Sequence, residues 1–428
     1  MPPAKKSTKK TTSKPTKSAA QSFLERLKKE QIEGDIHKAI DIIPSGSWVL
    51  NRLIGDGTLQ DQPGGFPRGY TVEIFGDEAC GKTTIALHAA KEVQKAGGTV
   101  LFADFEHSLR TQKKYIENLG INIDQETFIH MTPMSFEQGA KLIGQSLMEI
   151  KPWLIIIDSV TAMIPRDSAE GDADEVSAIG KQARLMSHFL NWITKRLENS
   201  NTCLMLLNQK RKVIKKSKYD PGPDETTSGG NAVRFFSNVR IELRPKQKEK
   251  ALVTSNITGA KEEKIVNQVV KATVVKNKLD LPFKTGPIYI TFGKGINNIL
   301  SLVELGKNKK VIKLKGAWFS WEDPNGEYSF NCQGKEALLE HLENNPEILK
   351  ALQTYLKPTQ NIDDMKTMHD ELLEKGIENL TDDERDIMKD LRSNLGLSDD
   401  ILNEGSDIDP DAKADLDELE SLMGEKND

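Results

Sequence analysis

Cysteine is scarce in this 428-residue chain: Cys80, Cys203 and Cys332 are the only three, and no two stand at C-x-x-C spacing. That excludes a disulfide framework and a cysteine-built zinc site, and fits a reducing compartment. Long apolar runs are also lacking. A membrane span needs roughly 18 apolar residues, whereas the longest apolar run with a clear role, Trp153 to Ile157, has only strand length, so no membrane partner is expected. The start, Met1-Pro-Pro-Ala-Lys-Lys6, has no apolar centre of a secretory signal. The Lys/Ser/Thr-rich residues after it contain neither arginine nor an apolar helical face, which argues against a transit peptide. A cytoplasmic protein is the expectation.

What is present is charge, unevenly spread. The net charge is only −5, but residues 361–428 carry 23 acidic and 7 basic side chains, leaving the first 360 residues at net +11. Six lysines and no acid stand in the first twenty positions. A basic body with an acidic tail suggests a polyanionic partner and a tail that competes for the same surface; the plainer alternative is that both ends only solubilise.

Residues 1–20 hold nothing to bury and are expected to be disordered. Residues 21–50 begin with a helical pattern, Gln21 to Lys38, with Phe23, Leu24, Leu27 and Ile32 on one side. Asp56 to Gly69, with four glycines and two prolines, reads as a loop. From there to about residue 300, β-rich runs alternate with helical ones: strands at Thr71–Phe75, Thr99–Asp104, Trp153–Ile157, Cys203–Asn208, Val239–Leu243, Val269–Lys276 and Pro287–Phe292, helices at Thr83–Ala96 and Val176–Glu198. That order predicts an α/β class with a mostly parallel, twisted sheet flanked by helices. Residues 301–360 read as a small mixed domain and 361–428 as an acidic, partly helical tail, in which Thr381-Asp-Asp-Glu384 is a capping-box signal.

The chemistry starts at Gly76, Asp77, Glu78, Ala79, Cys80, Gly81, Lys82 and Thr83, followed by Thr84, which fits G-x-x-x-x-G-K-[ST] between a strand and a helix. Backbone N–H groups of such a loop cradle β- and γ-phosphates, Lys82 adds a cation and Thr83 offers a hydroxyl to Mg²⁺. Asp158 closes the apolar strand Leu154-Ile-Ile-Ile157 and is placed to hold that metal through water; its alternative is to cap the next segment together with Ser159. Glu106, just beyond a strand that ends at the same crevice, is a candidate to activate water, although a Glu beside His107 also reads as a surface pair. Gln209 ends the strand Cys203–Asn208 and can reach a γ-phosphate. Six basic residues in nine follow it (Lys210 to Lys218), then Ser228, Gly229, Gly230 and Asn231. Side-chain cations and free amides of this kind suit a phosphodiester chain, with a merely solvated charge run as the alternative.

Together these stretches resemble the RecA family of DNA-strand-exchange recombinases, over about residues 42–356. The resemblance is carried by Gly76–Thr84, Phe102-Ala-Asp-Phe-Glu-His107, Ile156-Ile-Asp-Ser-Val160, Asn208-Gln209, Glu225 to Ala232, Val274-Val-Lys-Asn-Lys278 with Pro282-Phe283, Gly293-Lys-Gly-Ile-Asn297 and Gly316-Ala-Trp318.

The resemblance implies a RecA-like P-loop ATPase core (51–300) with an N-terminal polymerisation helix and a small α+β C-terminal domain. It further implies ATP and Mg²⁺ as cofactors, with water activation by Glu106. Gln209 then couples the γ-phosphate to a second DNA-binding loop (about 210–228), while Lys276 and Lys278 reach a neighbour's ATP. Phe292 lies near the adenine, with Tyr115 as a second aromatic. A first DNA loop at about 169–179 is followed by Gly180, Arg184 and Ser187; Arg211, Lys212, Ser228, Gly229, Gly230 and Asn231 serve the second, and Phe235 serves the filament interface. The implied partners are single- and double-stranded DNA, further copies of the chain in a helical filament, a single-strand-binding protein and loader proteins, at the nucleoid. The second loop is longer and more basic than the family pattern, and Ile179 stands where the family has a thioether. A ring-forming helicase, a non-catalytic filament mediator and an added co-protease role stay open at this stage.

Overall fold

A computed structural model describes residues 39–55, 64–123, 126–169, 175–212, 225–254 and 261–356, with single positions Leu373, Gly376, Arg385, Met388 and Arg392. The expected helix at 21–38, the centres of both DNA loops and nearly all of the acidic tail lie outside them. The chain divides into two compact units, Met1–Ile40 and Asp41–Asp428. Only Ala39 and Ile40 of the first are described.

The second unit opens with β1 (Ile42–Ile43), α1 (Trp48–Ile54, N-capped by Ser47) and β2 (Phe66–Pro67). β2 pairs antiparallel with β1 and Phe66 is fully buried, which corrects the expectation that residues through 69 are all loop. Two apolar residues between prolines and glycines give no periodic signal, and a ribbon this short exists only because its partner is 24 residues earlier.

The main sheet is built from β3 (Thr71–Gly76), β4 (Val100–Asp104), β5 (Phe128–Met131), β6 (Leu154–Asp158), β7 (Cys203–Lys212), β8 (Glu225–Thr227), β9 (Ser237–Thr254), β10 (Lys261–Asn277), β11 (Thr285–Thr291) and β12 (Gly295–Ile296). Its order is β12-β11-β10-β9-β3-β7-β6-β4-β5, with β8 paired to the end of β7. The six strands from β9 to β5 are mutually parallel, and β10, β11 and β12 add antiparallel at one side. Strands covered on both faces are apolar throughout: every residue of β6 is buried, Asp158 included.

Helices α2 (Lys82–Lys95), α3 (Lys113–Asn118), α4 (Phe136–Glu149), α5 (Arg166–Ala169), α6 (Glu175–Ser200) and α7 (Asn231–Phe236) complete this body. α2 packs its buried Ile85, Leu87 and Val93 into a cluster with Val72, Ile74, Met205 and Ile241. On the other face Ile143, Leu147, Met186, Leu190 and Ile193, from α4 and α6, cover Leu101, Ile155, Leu204 and Leu206. Gly76, Asp158 and Gln209 therefore lie at one edge, the carboxyl ends of the parallel strands.

β9 and β10 depart from expectation by running 18 and 17 residues, more than twice the predicted strands. Residues 244–250 (Arg-Pro-Lys-Gln-Lys-Glu-Lys) extend beyond the end of β3, and all but Glu249 are exposed, so they lack the apolar alternation from which a strand is read. Register shifts at Val269/Val270 and Ile265/Asn267 mark bulges in this ribbon. A C-terminal layer follows, made of α8 (Asn298–Asn308), a three-stranded sheet β13 (Lys313–Lys315), β14 (Trp318–Glu322) and β15 (Ser329–Gln333), α9 (Lys335–Asn344) and α10 (Pro346–Tyr355). It has its own core of Leu302, Phe319, Trp321, Phe330, Leu338 and Leu352.

Candidate active site and nucleic-acid interface

β3 ends at Gly76, whose position only glycine fits: a Cβ would come 2.2 Å from the Leu243 carbonyl oxygen on β9. The loop then turns through left-handed conformations at Ala79 (φ 56) and Gly81 (φ 91) and enters α2. Gly81 sits at the N-cap with no side-chain cap bond, so the first amides of α2 stay available to a ligand. Lys82 is 9% exposed and its Nζ donates to the carbonyls of Gly76 at 3.2 Å and Asp77 at 2.6 Å. A cavity of about 380 Å³ opens in front of the loop, and Glu78 through Thr84 form one wall.

Thr83 Oγ1 donates to Asp158 Oδ2 at 2.8 Å. Burial raises the Asp158 carboxyl to about 7, against the Thr83 bond and Lys82 that lower it, while the neighbouring charges of Glu106 and Asp104 raise it further. Ser159 makes no side-chain cap bond to the segment after it, so the pair is not spent on capping. The arrangement of one hydroxyl and one carboxylate beside a phosphate cradle suits a magnesium ion that takes its remaining ligands from phosphates and water.

Glu106 is exposed and lines the cavity, 3.5 Å from Gln209 Nε2. Its backbone N–H and that of Phe105 donate to the Asp158 carbonyl at 3.2 and 2.8 Å. The turn that carries it is tied by a fully buried residue that the sequence reading placed at a strand end without a role. Asp104 accepts from the N–H of Ser108 and Leu109 at 3.1 and 2.9 Å and lies 3.3 Å from His130 Nε2. Gln268 was also missed: from β10 it donates to the Ala79 carbonyl at 3.1 Å. Nothing near Gln268 in sequence marks it, because its partner lies 189 residues away. Phe292, 51% exposed, stands at the cavity rim, and the Tyr115 hydroxyl reaches Thr84 Oγ1 at 3.2 Å.

The structure separates two residues from this cavity. Lys276 pairs with Arg240 and Asn277 with Val239, at the start of β9, whereas Gly76 pairs with Leu243. Lys276 therefore lies about 10 Å back along the strands and two strands aside, roughly another 10 Å. Lys278, exposed, is farther back still, its N–H bonded to Asn238 O at 3.0 Å. Phe235, 76% exposed, is at this same end of the sheet.

Some of the residues expected to contact DNA are brought together, namely Ser187, Gly230 and Asn231. β8 folds back on the end of β7, pairing Arg211 with Thr226 and Lys212 with Glu225, so the second loop starts as a ribbon and not directly after Gln209. Lys210 is drawn into an ion pair with Glu242. Arg244 also bonds Glu242, and these two cations hold that carboxyl low despite its burial, which opposes them. Gly229 (φ 88) and Gly230 (φ 70) pack against α6, where a Cβ on Gly230 would meet Ala183 Cβ at 3.1 Å. Ser187, Gly230 and Asn231 line one cleft with Phe235, and Arg184 and Gly180 are exposed on the same helix. Ser228 Oγ meets Thr161 Oγ1 at 3.1 Å.

Comparison with known proteins agrees with this geometry. The model of the RecA N-terminal domain matches residues 20–297. The chain is 38% identical over 315 residues to Protein RecA of Mycoplasma mobile, covering 74% of this chain and 86% of that one. It is 37% identical over 325 residues to Protein RecA of Borrelia hermsii, at 76% and 83% coverage, and 34% identical over 342 residues to that of Bacteroides thetaiotaomicron, at 78% and 94%. The chain belongs to the RecA family. Its function is accordingly recombination and repair of DNA, and the sheet order, phosphate loop and small C-terminal layer are those of a RecA-like α/β protein. Among the described residues no helix is long and apolar enough to cross a membrane.

Proposed function

We propose that this chain is a DNA-dependent ATPase that polymerises on single-stranded DNA, pairs it with a homologous duplex in the cytoplasm, and resets by hydrolysis. Residues Gly76 to Thr84 hold the triphosphate, with Phe292 and Tyr115 on the base side. Mg²⁺, held by Thr83 and through water by Asp158, neutralises phosphate charge when bound. Glu106 orients and deprotonates the attacking water, and Gln209 senses the γ-phosphate. Exposed Arg184 and Arg211, with Ser187, the amides of Gly229 and Gly230, and Asn231, suit contact with the phosphodiester backbone.

The observation that carries this reading is the distance of Lys276 and Lys278 from their own phosphate loop. Cations in trans stabilise a transferring phosphoryl group. These two are at the wrong end of the sheet for their own cavity, beside the exposed Phe235, where a neighbour's cavity can meet them. Hydrolysis then requires assembly. Electron microscopy of the chain on single-stranded DNA with a slowly hydrolysed ATP analogue tests it. Helical filaments that dissolve on exchange into ADP are expected; closed rings would instead favour a translocating helicase, and nucleotide-independent monomers would refute the proposal.

A further inference from the structure

Asn208 uses every polar position of its side chain. Its nitrogen donates to Glu73 Oε1 at 2.9 Å and to the carbonyl of Ser228 at 2.8 Å, while its oxygen accepts the N–H of Gln209 at 2.9 Å. Neither a carboxylate nor a carbonyl can donate, so the amide has only this orientation. Glu73 is fully buried, and its other oxygen takes Arg240 Nε at 2.6 Å. The Arg240 guanidinium in turn lies over the Phe75 ring at 4.8 Å.

These residues share one face of adjacent strands: Glu73 pairs with Arg240 and with Leu206, and Phe75 with Asn208. Glu242, paired with Phe75, shares this face but is held by its own cations Lys210 and Arg244, so the buried Glu73 anion depends on Arg240 and Asn208. Each arm of the cluster ends somewhere functional. Glu73 stands three residues before Gly76 on the strand that feeds the phosphate loop. Gln209, whose backbone Asn208 pins, places its side chain in the nucleotide cavity. Ser228, whose carbonyl Asn208 holds, closes the second loop just before Gly229. Gln209 alone would be a lever without a fulcrum, because a side-chain movement at the γ-phosphate is passed on only if the backbone at 208–209 and the loop end are mutually fixed.

We infer that Asn208, held by the Glu73–Arg240 pair, is a positioning residue that joins the nucleotide cavity to the second DNA loop. The inference rests on the nucleotide-gated DNA binding proposed above. Asn208 contacts neither ligand; it acts through Gln209 and Ser228.

The test compares wild type with Asn208→Asp, which keeps shape but removes both donors, and with Asn208→Ala, which places no second charge against Glu73 should the first variant fold poorly. Single-stranded DNA affinity is measured with a non-hydrolysable ATP analogue and with ADP, alongside KM for ATP, DNA-stimulated kcat and melting temperature. Coupling between sites commonly amounts to about 5–150-fold. The variants are expected to bring the ratio of the two DNA affinities to within about twofold of one and to lower the DNA-stimulated kcat, while KM for ATP stays within about threefold of wild type. Glu73→Gln, which keeps an acceptor for Asn208, should retain part of the ratio. A ratio as large as that of wild type in either folded variant overturns the role of Asn208, as does a loss of ATP binding in step with a fall in melting temperature. A wild-type chain whose DNA affinity ignores the nucleotide would instead refute the gating itself.

Discussion

Lys276 donates from Nζ to the carbonyl oxygen of Arg234 at 2.6 Å, and to that of Phe235 at 3.2 Å. These carbonyls end α7, the short helix that begins where the second DNA loop closes, and a cation at a helix C-terminus is favourably placed. One residue thus connects the end of α7 and the exposed Phe235. Under the proposed trans role Lys276 would exchange these two carbonyls for a neighbour's phosphate, which would link assembly to the position of the proposed loop.

Mixing two inactive variants tests the trans role. Lys82→Ala lacks a phosphate cradle but keeps both lysines; Lys276→Ala has the reverse defect. Each alone should show negligible ATPase. In an equal mixture, random neighbours place an intact cradle beside an intact lysine at about one site in four, so turnover should return to roughly a quarter of wild type. A mixture as inactive as its components would assign Lys276 to its own protomer.

Glu106 and Lys82 should fail differently. Glu106→Gln removes the group that takes a proton from water, so turnover should drop at least about a hundredfold with nucleotide affinity retained and DNA held longer. Lys82→Ala should lose turnover and triphosphate affinity together. Wild-type DNA-stimulated turnover in Glu106→Gln would remove Glu106 from its role.

Local chemistry made the phosphate loop, Asp158 and the parallel strands readable, because a glycine-rich turn after an apolar strand specifies its own conformation. Three kinds of feature were not readable. The described outer part of β9, Arg244 to Lys250, buries no side chain, so its residues look like a charged loop. Gln268 matters through a partner that the sheet brings in from 189 residues away, and Asp104 through backbone N–H groups four and five residues on, with no motif to announce either. α4 did carry a signal that went unread: Ser135 and Gln138 stand at capping-box spacing, and Ser135 Oγ accepts the Gln138 N–H at 3.3 Å. Ser187 and Gly230 were named separately, and only the packing of α7 on α6 brings them, with Asn231, to one cleft.

Asp158 is expected to act on the metal at second hand. Asp158→Asn keeps the Thr83 contact but removes the charge. Losses from outer-shell positions run to about 10–100-fold in metal affinity. The magnesium concentration for half-maximal ATPase should rise by that factor, with maximal turnover partly recovered at high magnesium. An unchanged magnesium requirement would return Asp158 to a structural role.

Removal of residues 361–428 takes away 23 acidic and 7 basic side chains. Capture of duplex DNA should strengthen at least about tenfold at low salt, and the two proteins should converge to within about twofold near 0.5 M, where the Debye length is a few ångströms. Equal affinity across the salt series would show that the tail does not compete for the DNA surface.

His88 sits on α2, 7% exposed, and its Nε2 accepts the Ile296 N–H at 2.9 Å, which holds the ring neutral. Gly295 packs so closely that a Cβ there would come 2.3 Å from Nε2. Burial, with lesser pressure from Lys91 and Lys95, lowers the imidazole to about 4. An unfolded histidine takes a proton near 6.5. The unfolded chain therefore binds the extra proton between these values, so the contribution is fully present above pH 6.5 and is lost as the pH falls through 4. The difference amounts to about 3 kcal/mol. His88→Gln offers Ile296 an acceptor that does not titrate. Urea unfolding at pH 7.5, 6, 5 and 4.2 should show wild type losing about 3 kcal/mol relative to this variant, whatever their offset at pH 7.5. Parallel stability profiles would mean that His88 is protonated in the fold, and that Ile296 takes its bond from elsewhere.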